Sequence, residues 1–530
     1  MSPSPAVLLF VSLALSVHAV EPIVNLDYGR FQGKTTANVA EFLGVPFAAP
    51  PLGDLRFAAP QVPLPFDGVR QAVSYGPGCP YILSESSPFP GGGGPPGTVA
   101  PAIPQSEDCL SLNVAKPASI TNGRKLPVLV WFYGGAFQLG ETSQYHGGPN
   151  IIERSLALGV PIIYVSVNYR INAFGFLGGK EAKYARATNA GLKDLLWGES
   201  AGALSIGFHY LLNDGNPGGL FQGGFMQSGS PIILPEAELR QPSFDQLVRE
   251  TNCTSSTDKL ACLRAAPFDS LMAAIRTVPT LFSFESLELS FQPVIDGYYI
   301  ARDPLISLQQ GKYARLPFIT GDTEDEGTIF SFGVLNITTN EQFLDFVHTR
   351  YLDKASPESI AALAEAYPDD VTKGSPFNTG TDNAVSPQFK RFSALHGDFA
   401  FQAPRRFFSR IAAKTQPVFG YRFIRAAEPL LGYYHSGDIA EFFGLANNTD
   451  FTGTDSLIYF TNYLNPNAPP GSISALRNFR WPVWNPWSPS PALFTFVEGT
   501  PSVTITEDTF RQAEMELLTN LTLAQVGQGI

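Results

Sequence analysis

Histidine, cysteine and methionine are scarce in this 530-residue chain, at 6, 4 and 4 residues, and the scarcity removes whole classes of function. The histidines stand at 18, 146, 209, 348, 396 and 435, with no pair at ligand spacing, and the cysteine spacings resemble no zinc site, so no metal and no cofactor is expected. Positive charge is in deficit. The 35 Lys and Arg against 47 Asp and Glu give a net charge of -12, which argues against nucleic acid or anionic lipid as the partner. Long apolar runs are also missing: residues 6–17 are too few to span a bilayer, and no later segment reaches the length and apolarity of a membrane span. No repeat, charge block or serine-rich linker divides the chain, so one domain over residues 20–530 is expected.

What is present fits a large secreted globule. Hydrophobic residues make up 44% of the chain, enough for a substantial core. Behind the short apolar run come Val17-His18-Ala19, small residues where a signal peptidase reads, so residues 1–19 are expected to be a secretory signal and the mature chain extracellular. In that compartment four cysteines are expected to pair, Cys253 with Cys262 across a small loop and Cys79 with Cys109 across a longer one. Asn252, Asn336, Asn447 and Asn520 each begin a glycosylation sequon. The oligomeric state is not legible.

Through the chain, strand-like runs alternate with helical ones. Residues 126–132 and 160–167 read as buried parallel strands, 316–320 as a short strand broken by Gly321, and 416–424 as another. Helical patterns occupy 357–366 and 400–413. Such interleaving implies an α/β sheet with sites beyond the carboxyl ends of its strands. Residues 84–104 differ in kind, with glycine throughout 91–94 and many prolines, and are expected to form a surface loop or the rim of a pocket.

The segment Gly198-Glu199-Ser200-Ala201-Gly202 carries the chemistry, since small residues around a serine permit the sharp strand-to-helix turn of a nucleophile elbow. A serine hydroxyl is a poor nucleophile near neutral pH and needs a histidine to take its proton and a carboxylate to orient that histidine. In the order Ser, acid, His, the downstream candidates are the cluster Asp322-Thr323-Glu324-Asp325-Glu326 and His435.

These segments resemble the type-B carboxylesterase and lipase family, which also contains the cholinesterases. The resemblance runs through Phe42-Leu43-Gly44-Val45-Pro46-Phe47, Ser106-Glu107-Asp108-Cys109-Leu110, Tyr133-Gly134-Gly135-Ala136-Phe137, the elbow, Gln227-Ser228-Gly229-Ser230-Pro231, Asp325-Glu326-Gly327 and His435-Ser436. It implies an α/β-hydrolase fold, a large mostly parallel sheet with helices on both faces. It further implies Ser200 as nucleophile, Glu326 as the orienting acid, His435 as general base and acid, and the amides of Gly135, Ala136 and Ala201 as the oxyanion hole. The same resemblance pairs Cys79 with Cys109 and Cys253 with Cys262. The expected function is a secreted serine hydrolase cleaving carboxylic esters through an acyl-enzyme, acting on a small-molecule or lipid ester. A catalytically impaired binding ectodomain of the same fold is the alternative. Interfacial lipases of the family carry an amphipathic helix in the loop between Cys79 and Cys109, so its glycine and proline here favour soluble or short-chain esters. Choline esters are disfavoured, because cholinesterases place a tryptophan in that loop and the tryptophans here are at 131, 197, 481, 484 and 487.

One departure from the family is large. Between Gly191-Leu192-Lys193-Asp194 and the elbow only Leu195-Leu196-Trp197 intervenes, where the family has a helix, a turn and the elbow strand over roughly two dozen residues. Extending the strand backwards would place Lys193 and Asp194 in a sheet buried on both faces. Either a coding stretch is missing from the sequence, or the short chain is real and residues 180–187 replace the crossover helix. Agreement between local and global signals favours the first.

Overall fold

The β-branched and aromatic runs form strands inside the expected spans: Val128–Trp131, Ile163–Val167 and Val418–Ile424. The strand Phe318–Thr323 continues past the break expected at Gly321. The ring of Tyr421 occupies the space where a Cβ at 321 would sit, 2.2 Å from the nearest ring atom, so glycine here serves packing. The computed structural model describes residues 21–82, 103–120, 124–145, 147–194, 198–446 and 450–527. The expected signal at 1–19, nearly all of the 84–104 loop, Leu195 to Trp197 and Asn447 lie outside these residues.

Two half-sheets meet at the elbow. One holds, in order, Lys34–Thr36, Val39–Pro46, Ser111–Pro117, Ile163–Val167 and Val128–Trp131. The other runs Gly198–Glu199, Gly224–Gln227, Phe318–Thr323, Val418–Ile424, Ala492–Val497 and Val503–Glu507. Pairing is parallel from Ile163–Val167 across to Ala492–Val497 and antiparallel toward both outer edges. Among the described residues a single bridge, Phe132 to Gly198, joins the halves. Successive residues face opposite sides: Leu129 and Trp131 lie in one large apolar cluster, and Val130 packs against the other.

The shortened segment has a concrete form. Gly191–Asp194 is one tight helical turn, and among the described residues the elbow strand is Gly198–Glu199, which pairs with Met226 and Gln227 on one side and bridges Phe132 on the other. Lys193 and Asp194 therefore stay out of the sheet. The crossover from Ile163–Val167 contains the short helices Asn172–Phe176 and Lys180–Tyr184, so the expected helix at 180–187 exists but ends early. Disulfides join Cys79 to Cys109 and Cys253 to Cys262. Asn252, Asn336 and Asn520 are exposed.

Helix Pro357–Ala366 has the expected bounds, started by the Ser356 side chain accepting from the Ser359 amide. The span 400–413 differs: a widened π turn, Asp398–Gln402, precedes the helix Ala403–Ala412. From that turn Gln402 Nε2 donates to the carbonyls of Thr323 and Glu324, at 3.0 and 3.2 Å, tying it to the acidic segment. Beneath it, buried Arg405 donates to Asp322 at 2.7 Å and to both oxygens of Asp508 at 2.8 Å, and Arg406 shares Asp508.

Candidate active site

Ser200 ends the elbow strand and precedes the helix Ala201–His209, with φ 53° and ψ -121°. That conformation is sparsely populated for a residue with a Cβ and stores on the order of 1–3 kcal/mol. It is held by the Ser200 amide donating to the Gln227 carbonyl at 2.9 Å and by the buried helix behind it. The motif's two glycines are fixed by close approach. A Cβ on Gly198 or Gly202 would stand 2.2 or 2.3 Å from the carbonyl oxygen of Phe132.

His435 reaches this serine from a sequence distance of 235 residues, its Nε2 lying 2.8 Å from Ser200 Oγ. Its Nδ1 is 2.5 Å from Glu326 Oε2. The other oxygen of Glu326 accepts from Ser228 Oγ at 2.7 Å and from the Thr323 amide at 2.6 Å, which fixes the carboxylate's orientation. The remaining acids of the cluster have other partners. Glu324 accepts from Arg422 at 2.5 Å, and Asp325 accepts from Ser375 Oγ, the Phe377 amide and the Tyr433 amide. Asp325 thus anchors the segment leading to His435, and burial lifts its pKa to about 6 despite those donors.

Electrostatics around the imidazole run in opposing directions. Burial disfavours its cation, but Glu326 and Glu199 outweigh burial and hold the pKa above the ordinary 6.5. Glu199 Oε1 is 3.3 Å from His435 Nε2, and burial pushes this carboxyl up to about 8. Phe330 and Phe401 enclose the ring, at centroid distances of 5.0 and 4.6 Å.

Gly135, Ala136 and Phe137 all have positive φ, at 101°, 55° and 59°, which turns the chain sharply at the end of its strand. The amides of Gly135, Ala136 and Ala201 are not taken by backbone carbonyls among the described residues. Ala136 and Ala201 line one cavity with Ser200. Gly134 lies so close that a Cβ there would stand 2.3 Å from Glu199 Oε2 and 2.7 Å from Ser200 Cβ. The cavity encloses about 620 Å³ and runs between apolar walls that include Leu204, Leu234, Leu289, Phe330 and Phe401. No group of His, Cys, Asp and Glu suited to a metal occurs among the described residues.

Sequence reasoning did not single out Phe330, Phe401, Ser228 or Thr323. Ser228 lies inside a quoted motif, so a signal for it existed; Phe401 had none, since its position depends on the π turn.

A serine at a strained strand-to-helix turn, in line with a histidine and a carboxylate, on a sheet of this order defines an α/β-hydrolase. Solved structures agree on the fold. EstA of Aspergillus niger superposes with a TM-score of 0.78 over 95% of this chain and 98% of that one, at 24% identity. A thermophilic PNB esterase gives 0.74 over 94% and 100%, also at 24% identity. The chain belongs to the carboxylesterase family, whose model matches residues 20–485. It is 36% identical over 511 residues to Lipase 4 of Diutina rugosa, covering 87% of this chain and 90% of that protein. It is 35% identical to Secreted lipase 1 of Botryotinia fuckeliana, with 86% and 85% covered. A secreted triacylglycerol lipase of Gibberella zeae is 31% identical over 96% of this chain and 91% of its own length. The protein is accordingly a carboxylic-ester hydrolase of the extracellular kind.

Proposed function

We propose that Ser200, His435 and Glu326 form the catalytic triad for esters with an extended apolar acyl chain. The carrying observation is a cavity of about 620 Å³ that begins at Ser200 and is walled mainly by aliphatic and aromatic side chains. Ser200 Oγ attacks the ester carbonyl as its proton passes to His435 Nε2, and Glu326 stabilises the imidazolium through Nδ1. The amides of Gly135, Ala136 and Ala201 receive the developing oxyanion; each such donor is worth about 2.7–4 kcal/mol of transition-state stabilisation. His435 then protonates the leaving alcohol, and water repeats the path through the acyl-serine. The composition of the 84–104 loop favoured short acyl chains, whereas the apolar cavity supports longer ones. The shortened elbow strand supports the alternative of an impaired enzyme, but the 2.8 Å contact between His435 and Ser200 speaks for a working site.

Turnover of p-nitrophenyl esters from two to sixteen carbons tests this reading, with Ser200→Ala as reference. A kcat/KM that rises with chain length is expected. A maximum at the shortest chains, or turnover by Ser200→Ala, would refute it.

A further inference from the structure

The cavity that Ser200 lines is not apolar throughout. Leu239, which is 65% exposed, and Arg240 of the turn Ala237–Arg240 line it, as do Leu518, Thr522 and Gln525 of helix Gln512–Gly527. Its charged lining includes Glu236, Arg240, Glu288, Arg350, Asp353 and Lys354.

Arg240 is incompletely paired. Its side chain is only 14% exposed, and among the described residues its Nε has no hydrogen-bond partner and its one ion pair is a 3.5 Å contact with Glu288. Glu288 is itself shared with Arg350 at 3.4 Å, so two guanidinium groups divide one carboxylate. Asp353 and Lys354 carry opposite charges on the same lining, and Lys354 Nζ is engaged by the Gln525 carbonyl at 2.7 Å. Burial presses the Arg240 pKa below its ordinary value, with Glu288 pulling the other way. A guanidinium held this way has a donor in want of an acceptor, on the wall of a largely apolar cavity.

We propose that this charged lining is a subsite for acyl chains carrying an oxygen acceptor at their far end, a carboxylate or, more weakly, a hydroxyl. This inference rests on the reading of Ser200 as the nucleophile in the same cavity. With the ester carbonyl at Ser200, a chain of sufficient length brings its terminal carboxylate to Arg240 and Arg350, where charge-assisted hydrogen bonds replace the poor contact to Glu288. A methyl-terminated chain of equal length makes no such bond. A shorter chain with a terminal carboxylate strands the charge among Leu234, Leu289 and Phe401, which is unfavourable. The signature is therefore a preference that reverses with length.

The test compares p-nitrophenyl monoesters of α,ω-diacids with methyl-terminated p-nitrophenyl esters of the same carbon number, through a length series. The ratio of kcat/KM, diacid over monoacid, is expected below one for short chains and about tenfold in favour of the diacid at the length that spans the cavity. Arg240→Met should return the ratio at that length to one or less, and Arg240→Lys should keep part of the preference. A ratio at or below one for every length in the unmodified protein overturns the proposal, as does a preference that survives Arg240→Met. Calorimetry on the Ser200→Ala protein adds a readout without turnover: long-chain methyl monoesters of diacids should bind about tenfold more tightly than methyl esters of the matching monoacids, and equal or weaker binding also overturns it. Cleavage of methyl-terminated esters without a diacid preference sinks the subsite alone. Absence of all cleavage sinks the reading of Ser200, while the calorimetry still decides the subsite.

Discussion

Glu199 Oε1 lies 3.3 Å from His435 Nε2, the same nitrogen that faces Ser200 Oγ at 2.8 Å. His435 is thus set between two carboxyl groups, Glu326 on one nitrogen and Glu199 near the other. Both favour its cation, against burial, and the net effect is a pKa above 6.5.

That arrangement fixes a pH dependence. His435 must be neutral to take the Ser200 proton, so a raised pKa keeps it protonated, and inactive as a base, to higher pH than an ordinary histidine. The acid limb of kcat/KM is expected to have its midpoint above 6.5, with activity lost as pH falls through it. Because burial holds Glu199 up to about 8, the two groups titrate together, and Glu199→Gln should move the midpoint downward. A stopped pH series on both proteins checks this; an unmoved or raised midpoint would contradict it.

Within the acidic cluster, Glu326→Gln is expected to lower kcat by roughly ten-thousandfold with a smaller change in KM. Asp325→Asn should act differently. It weakens the anchor on Ser375, Phe377 and Tyr433, so the melting temperature should fall while catalysis is lost to a lesser degree. Steady-state kinetics beside thermal melts separate the two, and an essential Asp325 with a dispensable Glu326 would reverse the assignment.

Asp508 neutralises Arg405 and Arg406 and also accepts from Trp484 Nε1 at 3.0 Å, all in the interior. Asp508→Ala leaves buried cations short of counter-charge, and a loss of about 3–5 kcal/mol is expected. Denaturant unfolding measures it. A loss under about 1 kcal/mol would mean that Asp322 alone suffices for Arg405.

The elbow strand invites a gain of stability. Among the described residues it has 2 where a typical strand has about five or six, and Val128 on the neighbouring strand is 52% exposed. A chain carrying the family's helix and full strand before Gly198 should melt higher, label faster with a serine-directed phosphonate at Ser200, and give more secreted protein. Equal melting and labelling would show that the crossover through Lys180–Tyr184 is sufficient.

Much of this was legible in the chain because local signals coincide with local needs. Gly198 and Gly202 mark the elbow since only glycine tolerates the Phe132 carbonyl at that distance, and the runs at 128–131 and 418–424 announce buried strands by composition. Four neighbouring carboxylates, in contrast, were indistinguishable by residue type. Resemblance pointed to Glu326 among them, and the fold gives each a different partner: Arg405 for Asp322, Arg422 for Glu324, a hydroxyl and two amides for Asp325, and His435 for Glu326.

What the sequence determined by itself was the class of the fold and the elbow, because both are encoded in short contiguous stretches. The tertiary structure alone decided which groups surround His435, where the cavity runs and how Arg240 meets Glu288. Those relations join residues far apart in the chain, through a π turn at Asp398–Gln402 and a charged cavity lining that no local pattern records. Distance along the chain carries no information about them; only packing brings them within hydrogen-bonding range.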